Sequence, residues 1–496
     1  MPTVYRLNYQ PDINANWASN PGICTAMGGM AQLQNGNLAP VSRTANAIFT
    51  SATTGTDVLH AQMFTQVNNS VRLLAFRKQN IDEYSSSGTR TNRGTGYNAA
   101  TEDWSAAAWG NQVIACNYRD ATQSSTGAGF SGLGGGSPKA RYVAANVNFV
   151  MLADVDDGGS NVYADMVWWS AIRNPSSWTP SLATQAGNVR LLDTPGPIKN
   201  VVSYRDKFIA FKENAIFIGE YVGPPYVFSW RVISSSIGLS HPKGVTECDG
   251  KLYFWHHSGF YEFDGQQIKN VSVGVANEIA AVASSFSLSV SPMRCVADEK
   301  EGIVWLVAYF FWESPNQYDM YPFGYNIRTG LWSCVGLAGR SYSSDAGGAP
   351  QAVVFATSAQ RNLFDGFSYG GQDGFNYFNN GASPRYYKFD YGVSDVAPTL
   401  TTGYVGQNDV VPYVIRAYPR FVSSNGGASV SSSSVSGYKI ENGTTTGSAT
   451  MNWNTETGTL DGILSAKYYK LSITFAAVSA FELSGIGFDF VAGARR

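Results

Sequence analysis

Short apolar runs separated by turns of Gly, Asn, Asp and Ser extend along most of the chain, and helical periodicity is almost absent. Apolar runs of this length at even spacing are typical of β-sandwiches, β-barrels and β-propellers. The best candidate for a short helix is residues 277–285, with the sequence NEIAAVASS. The pattern therefore predicts an all-β protein.

A repeat with an offset of 44 residues narrows the choice of architecture. Residues 201–211 (VVSYRDKFIAF) match residues 245–255 (VTECDGKLYFW), and each stretch is an apolar strand, a tight turn and a second apolar strand. The match continues through a turn into a third strand, and residues 262–268 of the second copy supply a hairpin turn and a fourth strand. Four short strands in about 44 residues are the size of one propeller blade.

Looser copies of the same unit occur on both sides of this pair. They centre on residues 71–76, 112–116, 148–152 with 166–169, 295–307 with 324–332, and 352–356. Counting them predicts a β-propeller of six or seven blades over residues 40–397, preceded by an N-terminal segment at 1–39. Ser-, Thr-, Gly- and Asn-rich stretches in 83–139 indicate long loops. The alternation of apolar and polar residues after Pro398 predicts a C-terminal β-sandwich-like domain at 398–496.

Charge and cysteine content exclude several classes of protein. The chain has 34 Lys and Arg against 36 Asp and Glu, and only 14% of its residues are charged. Disordered chains are richer in charge and poorer in aromatic residues, and strong nucleic-acid binders usually have a basic balance. The start of the sequence has no apolar segment of a secretory signal, and the longest apolar run, 303–312, is far shorter than the roughly 20 residues that span a bilayer. Five widely spaced cysteines without a CxxC pair predict reduced, partly buried thiols in a protein made in the cytoplasm.

Motifs that resemble ligand sites lack the context that such sites need. Residues 127–132 match GxGxxG, but no helix follows to bind a pyrophosphate, so we interpret them as a loop. Residues 154–159 (DVDDGG) resemble the start of a calcium loop, yet a hairpin turn explains them better. His256 and His257 are adjacent in a strand, so their rings point to opposite faces and cannot both bind one metal ion. We therefore expect no metal and no cofactor.

Catalytic machinery is not expected either. Asp206, Asp249 and Asp264 fall in turns, where Asp commonly bonds the local backbone. No Gly-x-Ser-x-Gly nucleophile elbow lies between a strand and a helix. A glycosidase needs two carboxylates that face each other across a pocket, and one sequence cannot show such facing. A carbohydrate-binding or glycoside-hydrolysing propeller therefore stays open as the alternative function.

An aromatic insert at 309–322 interrupts one of the repeats. Trp312, Tyr318, Met320 and Tyr321 stand there among polar residues and prolines. Exposed aromatic side chains usually mark an interface, so these four are candidate interface residues. The other interpretation, that the loop folds back on its own blade, has equal weight.

Several segments together resemble the tail nozzle proteins of short-tailed bacteriophages, which are also called tail hub or packaged-DNA stabilisation proteins. The resemblance covers about a fifth of the chain well and keeps its order over much of the rest. Residues 1–140 carry almost none of it. The segments that carry it are 169–178 (WSAIRNPSSW), 196–201 (GPIKNV), 211–217 (FKENAIF), 221–228 (YVGPPYVF), 258–265 (SGFYEFDG) and 493–496 (GARR).

This resemblance implies a structural virion protein with a β-propeller fold. Six copies would form a ring below the portal and its adaptor ring, with tail fibre, spike or needle proteins below. Double-stranded DNA would be retained in the ring and later pass through it without specific binding. The protein would be made in the bacterial cytoplasm and would reside in the virion tail, with no membrane anchor.

Overall fold

The structure is a computed structural model. It describes residues 4–11, 23–45, 58–67, 69–85, 89–159, 161–284, 293–312, 317–335, 350–355, 372–379, 385–391, 397–406, 412–423, 430–439, 444–476 and 481–492. Strands dominate this part of the chain. The first five strands are β1 (Val4–Tyr5), β2 (Asn8–Tyr9), β3 (Ile23–Gly28), β4 (Met30–Gln32) and β5 (Leu38–Ala45).

Six consecutive groups of four antiparallel strands follow, and each group forms one blade. Blade 1 contains β6 (Val58–Thr65), β7 (Val71–Arg77), β8 (Asn80–Tyr84) and β9 (Arg90–Thr95). Blade 2 contains β10 (Ser105–Trp109), β11 (Gln112–Cys116), β12 (Gln123–Ser125) and β13 (Ser131–Gly132). Blade 3 contains β14 (Lys139–Ala145), β15 (Val150–Asp156), β16 (Val162–Trp169) and β17 (Gly187–Arg190).

The next three blades continue this order along the chain. Blade 4 contains β18 (Ile198–Tyr204), β19 (Lys207–Lys212), β20 (Ile216–Gly223) and β21 (Val227–Ser234). Blade 5 contains β22 (Val245–Cys248), β23 (Lys251–His256), β24 (Gly259–Phe263) and β25 (Ile268–Asn270). Helix α1 (Ala276–Ser284) comes next, close to the predicted 277–285. Blade 6 contains β26 (Met293–Asp298), β27 (Ile303–Trp312), β28 (Gln317–Asn326) and β29 (Leu331–Cys334).

A seventh group combines strands from the two ends of the propeller. It contains β30 (Pro350–Phe355), β31 (Gln372–Asn379) and β32 (Arg385–Tyr391), and β5 pairs antiparallel with β32. Strand β30 also pairs in parallel with β6 of blade 1. The structure therefore confirms the prediction of an all-β propeller with six or seven blades, and each of the seven predicted repeats contains strands of one blade.

The repeat at 201–255 corresponds to equivalent hairpins in blades 4 and 5. Tyr204 pairs with Lys207 in one hairpin, and Cys248 pairs with Lys251 in the other. The first turn residue has a positive φ in both, 57° at Arg205 and 51° at Asp249. Lys207 and Lys251 each bind a glutamate of the third strand of their own blade. The repeat therefore extends from the apolar pattern to the turn conformation and the ion pair.

The C-terminal residues form a β-sandwich that also contains the N-terminal strands. Its remaining strands are β33 (Thr399–Thr402), β34 (Val405–Gly406), β35 (Pro412–Ser423), β36 (Val430–Tyr438), β37 (Thr445–Thr450), β38 (Asn452–Asn454), β39 (Thr459–Ile463), β40 (Tyr468–Phe475) and β41 (Glu482–Ala492). One sheet has the order β38-β39-β35-β41 and continues to β5, with β1 beside β41 and β4 beside β5. The other has the order β2-β3-β33-β40-β36-β37, with β34 beside β40.

The predicted segment at 1–39 is therefore not a separate unit. Val4 pairs with Gly487, and Met27 pairs with Leu400, so the first strands complete both sheets of the C-terminal sandwich. Leu7 and Phe475 lie in one buried core with residues of blades 5 and 6. The cause is long-range strand pairing, which local patterns do not reveal.

Two stretches that were expected to be loops are strands. Residues 83–139 were expected to form long loops around the repeat at 112–116, but they contain the outer strand of blade 1 and the whole of blade 2, which is rich in Ser, Gly and Ala. The insert at 309–322 extends β27 and β28 as a paired hairpin, in which Tyr309 lies opposite Met320. For blade 2, burial against blades 1 and 3 provides the stability that the composition of its strands does not predict.

Buried cores lie between adjacent blades. Trp104 of blade 2 donates a hydrogen bond from its indole nitrogen to the carbonyl oxygen of Arg77 in blade 1, at 2.7 Å. Trp332 of blade 6 bonds the carbonyl oxygen of Val271, beside blade 5, in the same way at 2.8 Å. All five cysteines are buried and in the thiol form. Among the described residues, no helix has the length and apolar character needed to cross a membrane.

Candidate functional site

A cavity of about 680 Å³ lies at the axis of the propeller. Most residues that line it lie in or just before the first strands of blades 1 to 6, because the first strand of each blade is the innermost one, and residues 117–119 after β11 complete the lining. The exposed side chains of Glu102 and Arg119 belong to this lining, so the cavity reaches the solvent. Pockets of this volume commonly bind small molecules.

Lys243 closes off part of the axis with a buried ammonium group. Its Nζ donates hydrogen bonds to Asp103 Oδ1 at 2.7 Å, to the carbonyl oxygen of Trp104 at 2.8 Å and to Nδ1 of His60 at 3.0 Å. These partners lie in or beside blades 1 and 2, whereas Lys243 itself precedes blade 5. One side chain thus crosses the axis and uses all three donors of its ammonium group.

The protonation of this network follows from its burial. Burial lowers the pKa of Lys243 to about 8, although the adjacent carboxylate of Asp103 opposes the shift. Burial also lowers the pKa of His60 well below its usual value, and the charges of Lys243 and Arg294 lower it further. His60 is therefore neutral. Its Nδ1 accepts the bond from Lys243, and its Nε2 lies 3.3 Å from Gln62 Oε1, where it acts as donor.

Two polar groups in the lining of the cavity are buried without a hydrogen-bond partner among the described residues. They are Nη1 of Arg294 and Oγ of Ser240. Arg294 is only 3% exposed, and its other terminal nitrogen, Nη2, bonds the carbonyl oxygen of Leu59 at 3.1 Å. Unpaired buried polar atoms are unusual in folded proteins, so the residues that carry these two atoms are candidates for binding a ligand.

Other cations of the lining are paired with carboxylates. Arg141 binds Asp154 at 2.8 Å, Arg119 lies 3.7 Å from Glu102, and Lys199 lies 3.6 Å from Glu213. Glu102 and Asp103 are the only carboxylates among the described residues that line the cavity, and each is engaged by a cation. These two adjacent residues do not form the facing pair that glycoside hydrolysis requires.

The four predicted interface residues belong to the paired strands of the β27–β28 hairpin. Trp312 pairs with Gln317, Tyr318 with Phe311, Met320 with Tyr309, and Tyr321 with Ala308. Their side chains lie outside the described residues, so the interface assignment stays a prediction.

The motifs that resemble ligand sites have structural roles. Of residues 127–132, the first four lie between β12 and β13 and the last two form β13, and no helix follows them. Residues 154–159 belong to the β15–β16 hairpin, as predicted. His256 is buried and bonds Ser258 and Asn214, whereas the exposed His257 bonds Glu213. Among the residues that the structure describes, no group of three or more His, Cys, Asp or Glu could hold a metal ion.

Sequence reasoning missed two features. The first is the axial cavity, whose residues come from six blades and share no local pattern. The second is the tip of the β20–β21 hairpin, where Val222 and Tyr226 are 54% and 79% exposed. Tyr221 braces this tip, because its hydroxyl donates to Gln185 Oε1 at 2.7 Å and its ring lies 5.4 Å from that of Phe149. The sequence YVGPPY could have indicated this tip, since aromatic residues flank a turn there.

Comparisons with known proteins give only structural neighbours. No family model matches the chain, and no curated protein matches its sequence. Virginiamycin B lyase from Staphylococcus aureus aligns with 71% of this chain and 98% of its own, at 7% identity and a TM-score of 0.41. YCF48 bound to D1 peptide aligns with 71% of this chain and 95% of its own, at 12% identity and a TM-score of 0.35. The extracellular domain of a hybrid two-component system from B. thetaiotaomicron aligns with 75% of this chain and 43% of its own, at 10% identity and a TM-score of 0.35.

Proposed function

We propose that this chain is a structural virion protein that forms the tail nozzle ring of a short-tailed bacteriophage. Six copies form a ring that extends the DNA channel below the portal and adaptor, retains the genome and later lets it pass. The ring meets the adaptor above and tail fibre, spike or needle proteins below. In this proposal the chain is not an enzyme and needs no cofactor.

The segments that resemble the nozzle family support a role as a scaffold. Five of them fall in or beside blades 3, 4 and 5, and the sixth, 493–496, lies outside the described residues. In the segment 169–178, the fully buried Trp178 donates a bond from its indole nitrogen to the carbonyl oxygen of Pro175 at 2.7 Å. In the segment 211–217, Lys212 is buried and donates to the carbonyl oxygens of Leu191 and Thr194. These contacts brace the blades and bring no reactive groups together.

The exposed tip of the β20–β21 hairpin is the observation that supports the proposal most directly. Val222 and Tyr226 present large apolar surfaces to water on a hairpin that Tyr221 holds in place. Such surfaces usually mark contacts with another protein. This tip belongs to the segment 221–228, which resembles the nozzle family, and a ring of identical subunits requires a contact surface of this kind.

The blocked axis of the propeller supports the placement of the DNA channel between copies. Lys243 crosses the axis and binds Asp103 and Trp104 on the other side. Duplex DNA therefore cannot run through a single propeller. In the proposed ring, the channel lies along the axis around which the six copies are arranged.

Assembly on purified portal and adaptor rings tests the proposal. The tested variants are the double Val222→Ser/Tyr226→Ser and the triple Trp312→Ser/Tyr318→Ser/Tyr321→Ser. We expect the isolated wild-type chain to form a weak ring or none, because surfaces that become ordered only on contact bind at an entropic cost. On the portal and adaptor, negative-stain images should show a six-fold ring that the double variant reduces at least tenfold.

Val147→Ser is the matched control, because Val147 is 85% exposed in the turn between β14 and β15. This variant should assemble as the wild type does. If the triple variant assembles normally, the assignment of Trp312, Tyr318 and Tyr321 to the interface is wrong. Failure of the wild type to assemble, together with turnover of a glycan that a single Asp or Glu substitution abolishes, would favour a carbohydrate-cleaving propeller instead.

A further inference from the structure

The charges at the axis of the propeller do not balance among the described residues. Arg294 and the side chain of Lys243, which is 9% exposed, lie in the lining of the cavity, and their charges are close enough to influence each other. Among the residues described there, Asp103 is the one carboxylate that pairs with either of them, and it pairs with Lys243. His60 contributes no charge, because its surroundings keep the imidazole neutral. Among the described residues, one positive charge is therefore left without a counterion.

A buried charge without a counterion is costly, and folded proteins normally compensate it. Lys243 has no donor to offer, since all three of its N–H groups are engaged. The unpartnered donors belong to Arg294, through Nη1, and to Ser240, through its hydroxyl. Arg294 and Ser240 both belong to the lining of the same cavity, which extends to solvent at Glu102 and Arg119.

We propose that the axial cavity binds a small oxyanion, a phosphate or carboxylate group, through the side chains of Arg294 and Ser240. Guanidinium groups bind such oxyanions well, because several N–H donors lie in one plane. The positive charge of Lys243 strengthens the binding without a direct hydrogen bond. The cavity of about 680 Å³ leaves room for the rest of a small molecule that carries the anionic group. This inference does not depend on the proposed role in a phage tail.

Thermal unfolding and calorimetry of the full chain test this site. The probes are sodium phosphate and sodium acetate at millimolar concentration, each compared with sodium chloride at the same ionic strength. A ligand that binds only the folded state raises its stability, so we expect at least one probe to raise the Tm above the chloride reference. The probe that does so identifies a phosphate or a carboxylate as the preferred group.

Three variants assign the effect to the site. Arg294→Met should abolish the rise in Tm, and Ser240→Ala should weaken binding several-fold in calorimetry while leaving the fold intact. Arg231→Met removes an equal charge from an exposed side chain of blade 4, so it should respond as the wild type does. If Arg294→Met does not fold, Ser240→Ala decides the assignment.

Two results would overturn the inference. The first is a wild-type chain that responds to phosphate and acetate no more than to chloride, which would mean that the chain itself supplies the missing negative charge. The second is a response that Ser240→Ala and Arg294→Met retain in full, because the anion would then bind elsewhere.

Discussion

Gly135 occupies a position that no side chain can share. Its φ is +62°, and a Cβ atom built there would lie 1.8 Å from the carbonyl oxygen of Ser176. The amide of Trp178 also donates to the carbonyl oxygen of Gly135, at 3.1 Å. This loop therefore presses directly on the segment 169–178, and the contact is between two backbones, which cannot move aside as a flexible side chain can.

The variant Gly135→Ala should lower the free energy of unfolding by roughly 3 kcal/mol or more, because the added methyl group forces the two backbones apart. Gly134→Ala is a matched control, since Gly134 also has a positive φ, +76°, but has nothing within 4 Å of its Cβ position. The control should cost about 1 kcal/mol from backbone conformation alone. Urea unfolding of both variants measures the difference, and equal losses would contradict the steric argument.

His241 makes the stability of the protein depend on acidity. Burial lowers the pKa of His241 from 6.5 to about 4, and the charges of His257 and Lys199 contribute to the shift. Between these two pKa values, the unfolded chain binds a proton that the folded chain does not. The contribution of His241 to the free energy of unfolding is therefore fully present above pH 6.5, and it is lost as the pH falls towards 4.

The loss assigned to His241 is at most about 3 kcal/mol, since one pKa unit corresponds to about 1.4 kcal/mol. The substitution His241→Gln should flatten the fall in urea stability between pH 6.5 and 4.5. The exposed His257 is the control position, and His257→Gln should keep most of the fall. A fall in His241→Gln as steep as in the wild type would assign the acid sensitivity to other groups, such as the buried His60.

At the scale of single elements, the sequence predicts strands where apolar runs and turns repeat. The prediction of hairpins at 201–211 and 245–255 is confirmed, because both strands of each hairpin are apolar and a tight turn determines their pairing. Of blade 2, only the repeat at 112–116 (β11) was predicted, because β10 (SAAAW), β12 (QSS) and β13 (SG) contain few β-branched or apolar residues. Their stability depends on the buried cores that they share with blades 1 and 3.

The N-terminal strands show a different limit of sequence patterns. Strand β3 has a clear apolar pattern, yet its partner β33 lies far along the chain, with Met27 opposite Leu400. Pairing over such a distance leaves no mark on the local sequence. The axial cavity has the same limit, because Lys243, Asp103 and Arg294 come from separate blades and meet only in the folded protein.

The pairing of the two chain ends predicts that the C-terminal sandwich does not fold alone. Without β2 and β3, strand β33 has an uncovered edge, and Phe475 and Ile486 lose the core that they share with Leu7. We expect the fragment 397–496 to unfold without cooperativity in urea. A version that carries residues 1–45 after a flexible linker at its C-terminus should unfold cooperatively, since β1 pairs with β41 in the required direction. A cooperative transition in the fragment 397–496 itself would show that the N-terminal strands are dispensable.

At the scale of the whole molecule, the question is how tightly a ring of this chain would bind DNA. Its net charge is −2, but clustered lysines could still form a basic face. Lys199 and Lys207 are paired with Glu213 and Glu220, at 3.6 and 2.6 Å. Lys212 is buried, the side chain of Lys243 is 9% exposed, and both ammonium groups are bonded inside the protein. Four lysines of the central blades are therefore not available to phosphates.

This compensation predicts weak binding of DNA. Each phosphate that Lys or Arg neutralises releases counterions and makes the affinity depend steeply on salt. A mobility-shift titration with duplex DNA at low salt should show no sub-micromolar binding by the wild-type chain. The double variant Glu213→Gln/Glu220→Gln releases Lys199 and Lys207 and should bind DNA more tightly, with a steeper loss on added salt. Sub-micromolar binding by the wild type that weakens steeply with salt would mean that a basic surface exists. The hypothesis that the nozzle wall lets DNA pass without binding it would then be wrong.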